Sequence, residues 1–145
     1  MQAGSSWYIE GMMILELKIS LNDMELIQME LESNEPYEAC GVLIGNINGN
    51  TANVEKVLPI RNVKRTTRSF ELDPELFYRA WNDADKNGKE ILGVYHTHPC
   101  SCAIPSTWDR ETMENAPSVW LIAGADGMSA YVWEDGVKPV KLTGY

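Results

Sequence analysis

Apolar and polar residues alternate over Ile14-Leu15-Glu16-Leu17-Lys18-Ile19, which predicts a first strand. Ser20, with Asp23 three positions on, makes a capping-box-like start, and Met24, Ile27 and Leu31 follow at helical spacing. An amphipathic helix is expected over 21–33, stopped by Asn34-Glu35-Pro36. Glu38-Ala39-Cys40-Gly41-Val42-Leu43-Ile44-Gly45-Asn46-Ile47 reads as the second strand. Asn48-Gly49-Asn50 is a turn signal and Thr51 to Leu58 the returning strand of a hairpin. Residues 59–68, with Pro59, Asn62, Lys64, Arg65 and Arg68, read as an exposed basic loop, and Ser69-Phe70-Glu71-Leu72 as a short edge strand.

Asp73-Pro74-Glu75 offers a cap, a proline in the first turn and an acid at the positive end of a helix dipole. That helix should run through Phe77, Tyr78 and Trp81 to Asn87, with Gly88 as its stop. Glu90-Ile91-Leu92-Gly93-Val94-Tyr95 is apolar and rich in branched and aromatic residues, the pattern of a buried strand. A short helix should follow Asp109 as far as Glu114, then a strand over Val119-Trp120-Leu121-Ile122-Ala123. Turns at Asp126-Gly127 and Asp135-Gly136 bracket a strand from Met128 to Trp133, and Val137 to Leu142 closes the sheet. The expected class is mixed α/β (α+β): one central, mostly antiparallel mixed sheet flanked by two main helices. Trp81, Trp120 and Trp133 are expected in the core, and Cys40 as buried packing.

Composition narrows the setting. A chain of 145 residues suits one domain with a proper core. Residues 1–12 are expected to be an added leading segment, with the native start at Met12 or Met13 and a single domain over 13–145. Hydrophobic residues at 44% and charged residues at 23% are those of an ordinary soluble globular protein. A net charge of −9 argues against nucleic acid or an anionic membrane as partner, because both require clustered cations. No apolar run approaches the roughly 20 residues of a membrane span, and no basic-then-apolar leader marks secretion. The 3 cysteines, Cys40, Cys100 and Cys102, have no disulfide-framework spacing, so a cytoplasmic location is the default.

The candidate chemistry lies at the end of the apolar strand. His96 and His98 are the 2 histidines of the chain, and on an extended strand this spacing puts both imidazoles on one face. Two nitrogen ligands plus a carboxylate from the next element, Asp109, suit zinc with a fourth position left for water. Each residue has a plainer rival role. The histidines could be hydrogen-bonded core residues, and Asp109 a first-turn charge. Ser106 could serve as helix cap, as a donor to a developing oxyanion, or as both in turn. Cys100 and Cys102 could join a Cys/His zinc site, but no second cysteine pair exists; a place in the loop lining the site fits better, with their role open. A nucleobase-deaminase reading fails for want of H-x-E and P-C-x-x-C.

His96-Thr97-His98-Pro99, six residues, then Ser106-Thr107-Trp108-Asp109 match the H-x-H-P-x6-S-x-x-D core of the JAMM (MPN+) metalloproteases. Glu38 to Gly45, preceded by Pro36, is similar to the glutamate-headed strand of the small prokaryotic members, and the resemblance extends over residues 14–142. It implies the cytidine-deaminase-like architecture of MPN/JAMM domains and one zinc ion per chain. It implies His96, His98 and Asp109 as zinc ligands, Glu38 as general acid/base and Ser106 as oxyanion donor. Glu32 and Glu35 compete with Glu38 by proximity, but only Glu38 heads the strand in the family's register. Trp108 is placed at the rim of the site. The resemblance also implies hydrolysis of the bond after the C-terminal tail of a ubiquitin-like β-grasp modifier, in an isopeptidase or deubiquitinase-like reaction. The alternatives are processing of a β-grasp sulfur carrier and, in another class, a catalytically silent MPN scaffold. The modifier tail would add to the edge at Ser69, Phe70 and Glu71, and Arg61, Lys64, Arg65 and Arg68 would meet an acidic modifier.

Overall fold

The structure, a computed structural model, describes residues 13–116 and 118–145; the expectation for residues 1–12 lies outside them. Seven strands and three helices follow in the order β1 (Glu16–Ile19), α1 (Leu21–Asn34), β2 (Cys40–Asn48), β3 (Thr51–Ile60), α2 (Pro74–Lys86), β4 (Glu90–Thr97), α3 (Thr107–Asn115), β5 (Val119–Gly124), β6 (Gly127–Trp133) and β7 (Val137–Gly144). The local signals act as expected. Ser20 Oγ accepts from the Asp23 N–H at 3.0 Å to start α1, and Asp73 caps α2 through the N–H groups of Glu75 and Leu76. Gly49 turns the β2–β3 hairpin at a φ of 63°.

The sheet is not the open, flanked sheet that the pattern predicts. Its strands run β1-β3-β2-β4-β5-β6-β7 and close into a barrel, because β1 pairs in parallel with both β3 and β7. The ladders β2–β3, β2–β4, β5–β6 and β6–β7 are antiparallel, and β4–β5 is parallel. Alternation along β1 tells that Leu17 and Ile19 face inward, both fully buried. It carries no information on which two strands flank it. Closure removes the two free edges an open sheet would leave.

Two apolar clusters lie on opposite faces of β2 and β4. Leu43, Leu92 and Tyr95 join Ile27 and Leu31 of α1, while Cys40, Val42, Ile44, Ile91 and Val94 join Ala80 and Ala84 of α2 and Met113 of α3. Trp120 is buried as expected, whereas Trp81 and Trp133 pack on the second cluster only half-buried. No helix among the described residues is long and apolar enough to cross a membrane.

Two boundaries shift between β3 and α2. Pro59 and Ile60 continue β3 rather than opening the loop, and Ile60 is buried in the α2-side cluster. Residues 69–72 form no strand; Leu72 makes a single antiparallel bridge with Asn62. The chain from 61 to 73 is therefore a strap folded on itself, held by Val63 N–H to Glu71 O and Asp73 N–H to Arg61 O, each at 3.0 Å. Its polar, charged sequence suits exposure, while one apolar residue, Phe70, turns inward.

Candidate metal centre and active site

The last residues of β4 and the chain just beyond carry His96 and His98 on the face shared with α2 and α3. Both imidazoles are buried, and their Nε2 atoms stand 3.1 Å apart. Asp109 Oδ2 lies 3.1 Å from each, so the three atoms form an equilateral triangle. Asp109 reaches this point through the start of α3. Ser106 Oγ accepts from the Asp109 N–H at 3.0 Å, and Asp109 Oδ2 accepts from the Ser106 N–H at 2.9 Å, a complete capping box. The cap therefore aims the carboxylate.

Hydrogen bonding between neutral rings and a carboxylate cannot fill all three edges of the triangle. His98 Nδ1 donates to the Cys102 carbonyl at 2.9 Å, which leaves its Nε2 as a lone pair in the neutral ring. Nε2 then faces an anionic oxygen and the Nε2 of His96, whose Nδ1 is buried without a partner, and the three atoms converge on one point. Corners of a tetrahedral zinc site with ligands at about 2.0–2.1 Å are roughly 3.3 Å apart, close to the edges seen. The donor set and its spacing thus fit a divalent metal of the zinc type.

The charges respond to the same packing. Burial works against ionisation of Asp109, but hydrogen bonds with His96 and His98 hold its carboxyl well below the usual carboxylate range. Burial pushes the His96 imidazole down; for His98 burial is outweighed by hydrogen bonds with Asp109 and the Cys102 carbonyl, and the ring is pushed up. Glu38 lies just before β2, with its ligand atom within 4.8 Å of those of both histidines. Burial raises its carboxyl to about 8, His98 opposes the shift and the Asp109 carboxylate adds to it. Its Oε1 is buried with no hydrogen-bond partner. Glu32 and Glu35 do not reach the site: Glu32 accepts from Gln28 on the exposed face of α1, and Glu35 is the C-cap of that helix.

The family described as prokaryotic homologs of the JAB domain matches residues 24–134. The chain belongs to that family, the small prokaryotic type of JAMM/MPN+ protein. It is 35% identical over 99 residues to a desampylase of Pyrococcus furiosus, covering 68% of each chain. It is 30% identical over 115 residues to a Thermus thermophilus protein named as a probable TtuB-protein conjugate cleaving protease, covering 78% of this chain and 73% of that one. A Desulfitobacterium hafniense protein solved in solution superposes with a TM-score of 0.81 at 27% identity, over 89% of this chain and 92% of that one.

The JAB fold recruits residues whose part the motif does not reveal. Thr97, between the histidines, accepts from the Ala39 N–H through Oγ1 at 2.8 Å and donates its own N–H to Ala39 O at 3.0 Å. It ties the head of β2, and with it Glu38, to the end of β4. The 100–103 loop is fastened from below. Asp126 Oδ1 accepts from the Ala103 N–H at 2.8 Å, Tyr131 Oη donates to Ala103 O at 2.7 Å and the Ala125 N–H donates to Ser101 O at 2.8 Å. Cys100 and Cys102 are exposed free thiols on this loop; it is the Cys102 carbonyl that meets a histidine.

Phe70, expected as a substrate contact, packs mainly on the metal site and reaches the surface only in the lining of an apolar hollow. It is 5% exposed, and its ring stacks on His96 at 4.6 Å between centroids and meets Trp108 and Trp120 edge-on. Ser69 carries its neighbours' hydrogen bonds: its N–H donates to Thr66 Oγ1 and its carbonyl accepts from the Asn62 amide. Glu71 is exposed and Trp108 half-buried, and both line, with Phe70, an apolar hollow of about 460 Å³ between the strap, α2 and α3. A second hollow of about 350 Å³ is the mouth of the site, bounded by Glu38, Arg68, His98, Ser101, Ser106 and Trp108.

Proposed function

We propose that this JAB protein is a zinc metallo-isopeptidase that cleaves the bond after the C-terminal tail of a ubiquitin-like β-grasp modifier. The observation that carries the reading is the buried triangle of His96, His98 and Asp109 with Glu38 beside it, Glu38 and His98 opening on one mouth. The desampylase and conjugate-cleaving relatives supply the substrate class. His96 Nε2, His98 Nε2 and Asp109 Oδ2 would hold the metal. When bound, zinc supplies Lewis-acid polarisation and a water acidified to a pKa of about 7.

The chain's own residues do the rest. Glu38 takes a proton and returns it to the leaving amine, a role open to a carboxyl buried beside the histidines and outside the triangle. Ser106 Oγ accepts in its cap, which leaves its O–H hydrogen to donate at the mouth, so cap and oxyanion donor are compatible. Leu72 bridges Asn62 on one side of the strap, and its other side faces the apolar hollow, where an extended tail could seat. The strap's cations divide in role. Arg61 pairs with Asp73 at 2.7 Å and Arg65 lies over the Tyr37 ring, whereas Arg68 borders the mouth and Lys64 the apolar hollow.

The test is cleavage of a conjugate between a β-grasp modifier and a lysine side chain by zinc-loaded wild-type protein, read on gels and by mass spectrometry. Release of intact modifier ending at its C-terminal tail is expected. Cleavage only of a modifier with a short linear C-terminal extension would move the reading to carrier processing. Inertness of the zinc-loaded protein on both substrates would leave a non-catalytic scaffold and refute the hydrolase.

A further inference from the structure

Glu38 precedes the first ladder residue of β2, so no sheet partner fixes its main chain. Its N–H reaches only the Thr66 carbonyl, at 3.5 Å, and its side-chain Oε1 has no partner among the described residues. Its direction therefore depends on what holds the peptide between Glu38 and Ala39: Thr97 Oγ1 accepts from the Ala39 N–H on the β4 side, and a second group holds the Glu38 carbonyl. That group is the carboxamide of Asn62, half-buried where the strap leaves β3.

The Asn62 side chain makes four bonds to main chain. Nδ2 donates to the Glu38 carbonyl at 3.0 Å and to the Ser69 carbonyl at 3.4 Å. Oδ1 accepts from the N–H groups of Lys64 and Glu71, each at 3.0 Å. One planar group thus joins the outgoing strap, the returning strap and the residue that carries the base. The same strap sets Phe70 on His96 and brings Arg68 to the mouth.

We propose that Asn62 is a positioning residue for Glu38: Thr97 ties the peptide after the base to β4, and Asn62 locks the same peptide to the strap that lines the site. A substrate seated along the strap then meets a carboxyl already aimed. The proposal rests on the role of Glu38 put forward above. Its chemistry splits by strength: both acceptor bonds, at 3.0 Å, fold the strap, while of the donor bonds the shorter, at 3.0 Å, holds the base and only the longer, at 3.4 Å, adds to the strap. Asn62→Asp keeps the acceptors and loses the donors. Asn62→Ala loses both.

The experiment measures kcat and KM on a β-grasp modifier bearing a C-terminal fluorogenic amide, with zinc affinity and trypsin mapping in parallel. Trypsin reads the strap directly through Arg61, Lys64, Arg65 and Arg68. Asn62→Asp should keep KM, zinc affinity and trypsin resistance within about twofold while kcat falls roughly 10- to 100-fold, the usual effect of a misplacement near 1 Å. Asn62→Ala should also raise KM and speed cutting within 61–68. Wild-type kcat in Asn62→Asp would overturn the proposal, as would zinc loss in step with the loss of kcat. Should zinc-loaded wild type leave the amide intact, the hydrolytic reading fails separately. Trypsin cutting of Asn62→Ala at the wild-type rate would then still overturn the clamp.

Discussion

Gly124 ends β5 directly beneath the 100–103 loop, and replacing it with alanine tests how the metal site is held. A Cβ there would stand 2.5 Å from Ala103 N, 2.6 Å from the Cys102 carbonyl carbon and 2.7 Å from Ser101 O. These are main-chain atoms, so no side-chain rotation relieves the clash. Restoring ordinary contact displaces the loop by about 0.9 Å. A comparable shift of the Cys102 carbonyl would stretch its 2.9 Å bond from His98 Nδ1 out of hydrogen-bond range. His98 then loses the partner that fixes both its ring plane and its tautomer. Loss of such an outer partner typically costs 10- to 100-fold in metal affinity, about 1.4 to 2.8 kcal/mol. Zinc affinity measured by competition with a chromophoric chelator at pH 7.5 should fall by that factor in Gly124→Ala. Gly49→Ala is the control: its φ of 63° makes it unfavourable at a distant hairpin, and a Cβ there meets nothing within 4 Å. That variant should lose about 1 kcal/mol of stability and keep wild-type zinc affinity. A folded Gly124→Ala protein with wild-type zinc affinity would refute the argument that the loop carbonyl sets the ligand.

Three further expectations concern the same site. Glu38→Gln should retain zinc while turnover falls by roughly 10²- to 10⁴-fold, whereas Asp109→Ala should lose zinc and weaken α3 by about 1 kcal/mol through the lost bond from the Ser106 N–H, half of the capping box; zinc analysis, kinetics and melts separate the two. Phe70→Ala should cost about 3–5 kcal/mol by denaturant titration and lower zinc affinity, because it empties the face on which His96 stacks; an unchanged midpoint would show that the ring is not packed there. In chelator-treated protein, the contribution of Glu38 to stability should be complete below its unfolded value of about 4.3 and lost as pH rises through its folded value of about 8. Wild type should therefore lose stability relative to Glu38→Gln across that range, and parallel melting curves for the two would contradict the raised carboxyl.

How much of this was legible beforehand follows the reach of each signal. Ser20, Asp73 and Ser106 act within one helical turn, so their caps can be read three residues at a time, and the observed bonds match. His96, His98 and Asp109 lie within a short span whose strand and helix starts are themselves local, so their convergence could be anticipated from spacing and from the resemblance to JAMM proteins. Phe70 reads as an exposed edge residue because a single aromatic in a polar stretch shows no period; only packing turns it onto His96. Asn62 looked like one polar loop residue among several, since its four partners are spread over residues 38–71.

Sequence by itself determined most of the elements, their caps and the candidate ligands, because these depend on periodicity and on side-chain chemistry within a few positions. Tertiary structure alone decided the barrel closure, the approach of Glu38 to the histidines and the hold of the Cys102 carbonyl on His98. Those depend on main-chain hydrogen bonds and on space between distant segments. A main-chain amide or carbonyl is the same in almost every residue, and so it leaves no mark in the order of the amino acids.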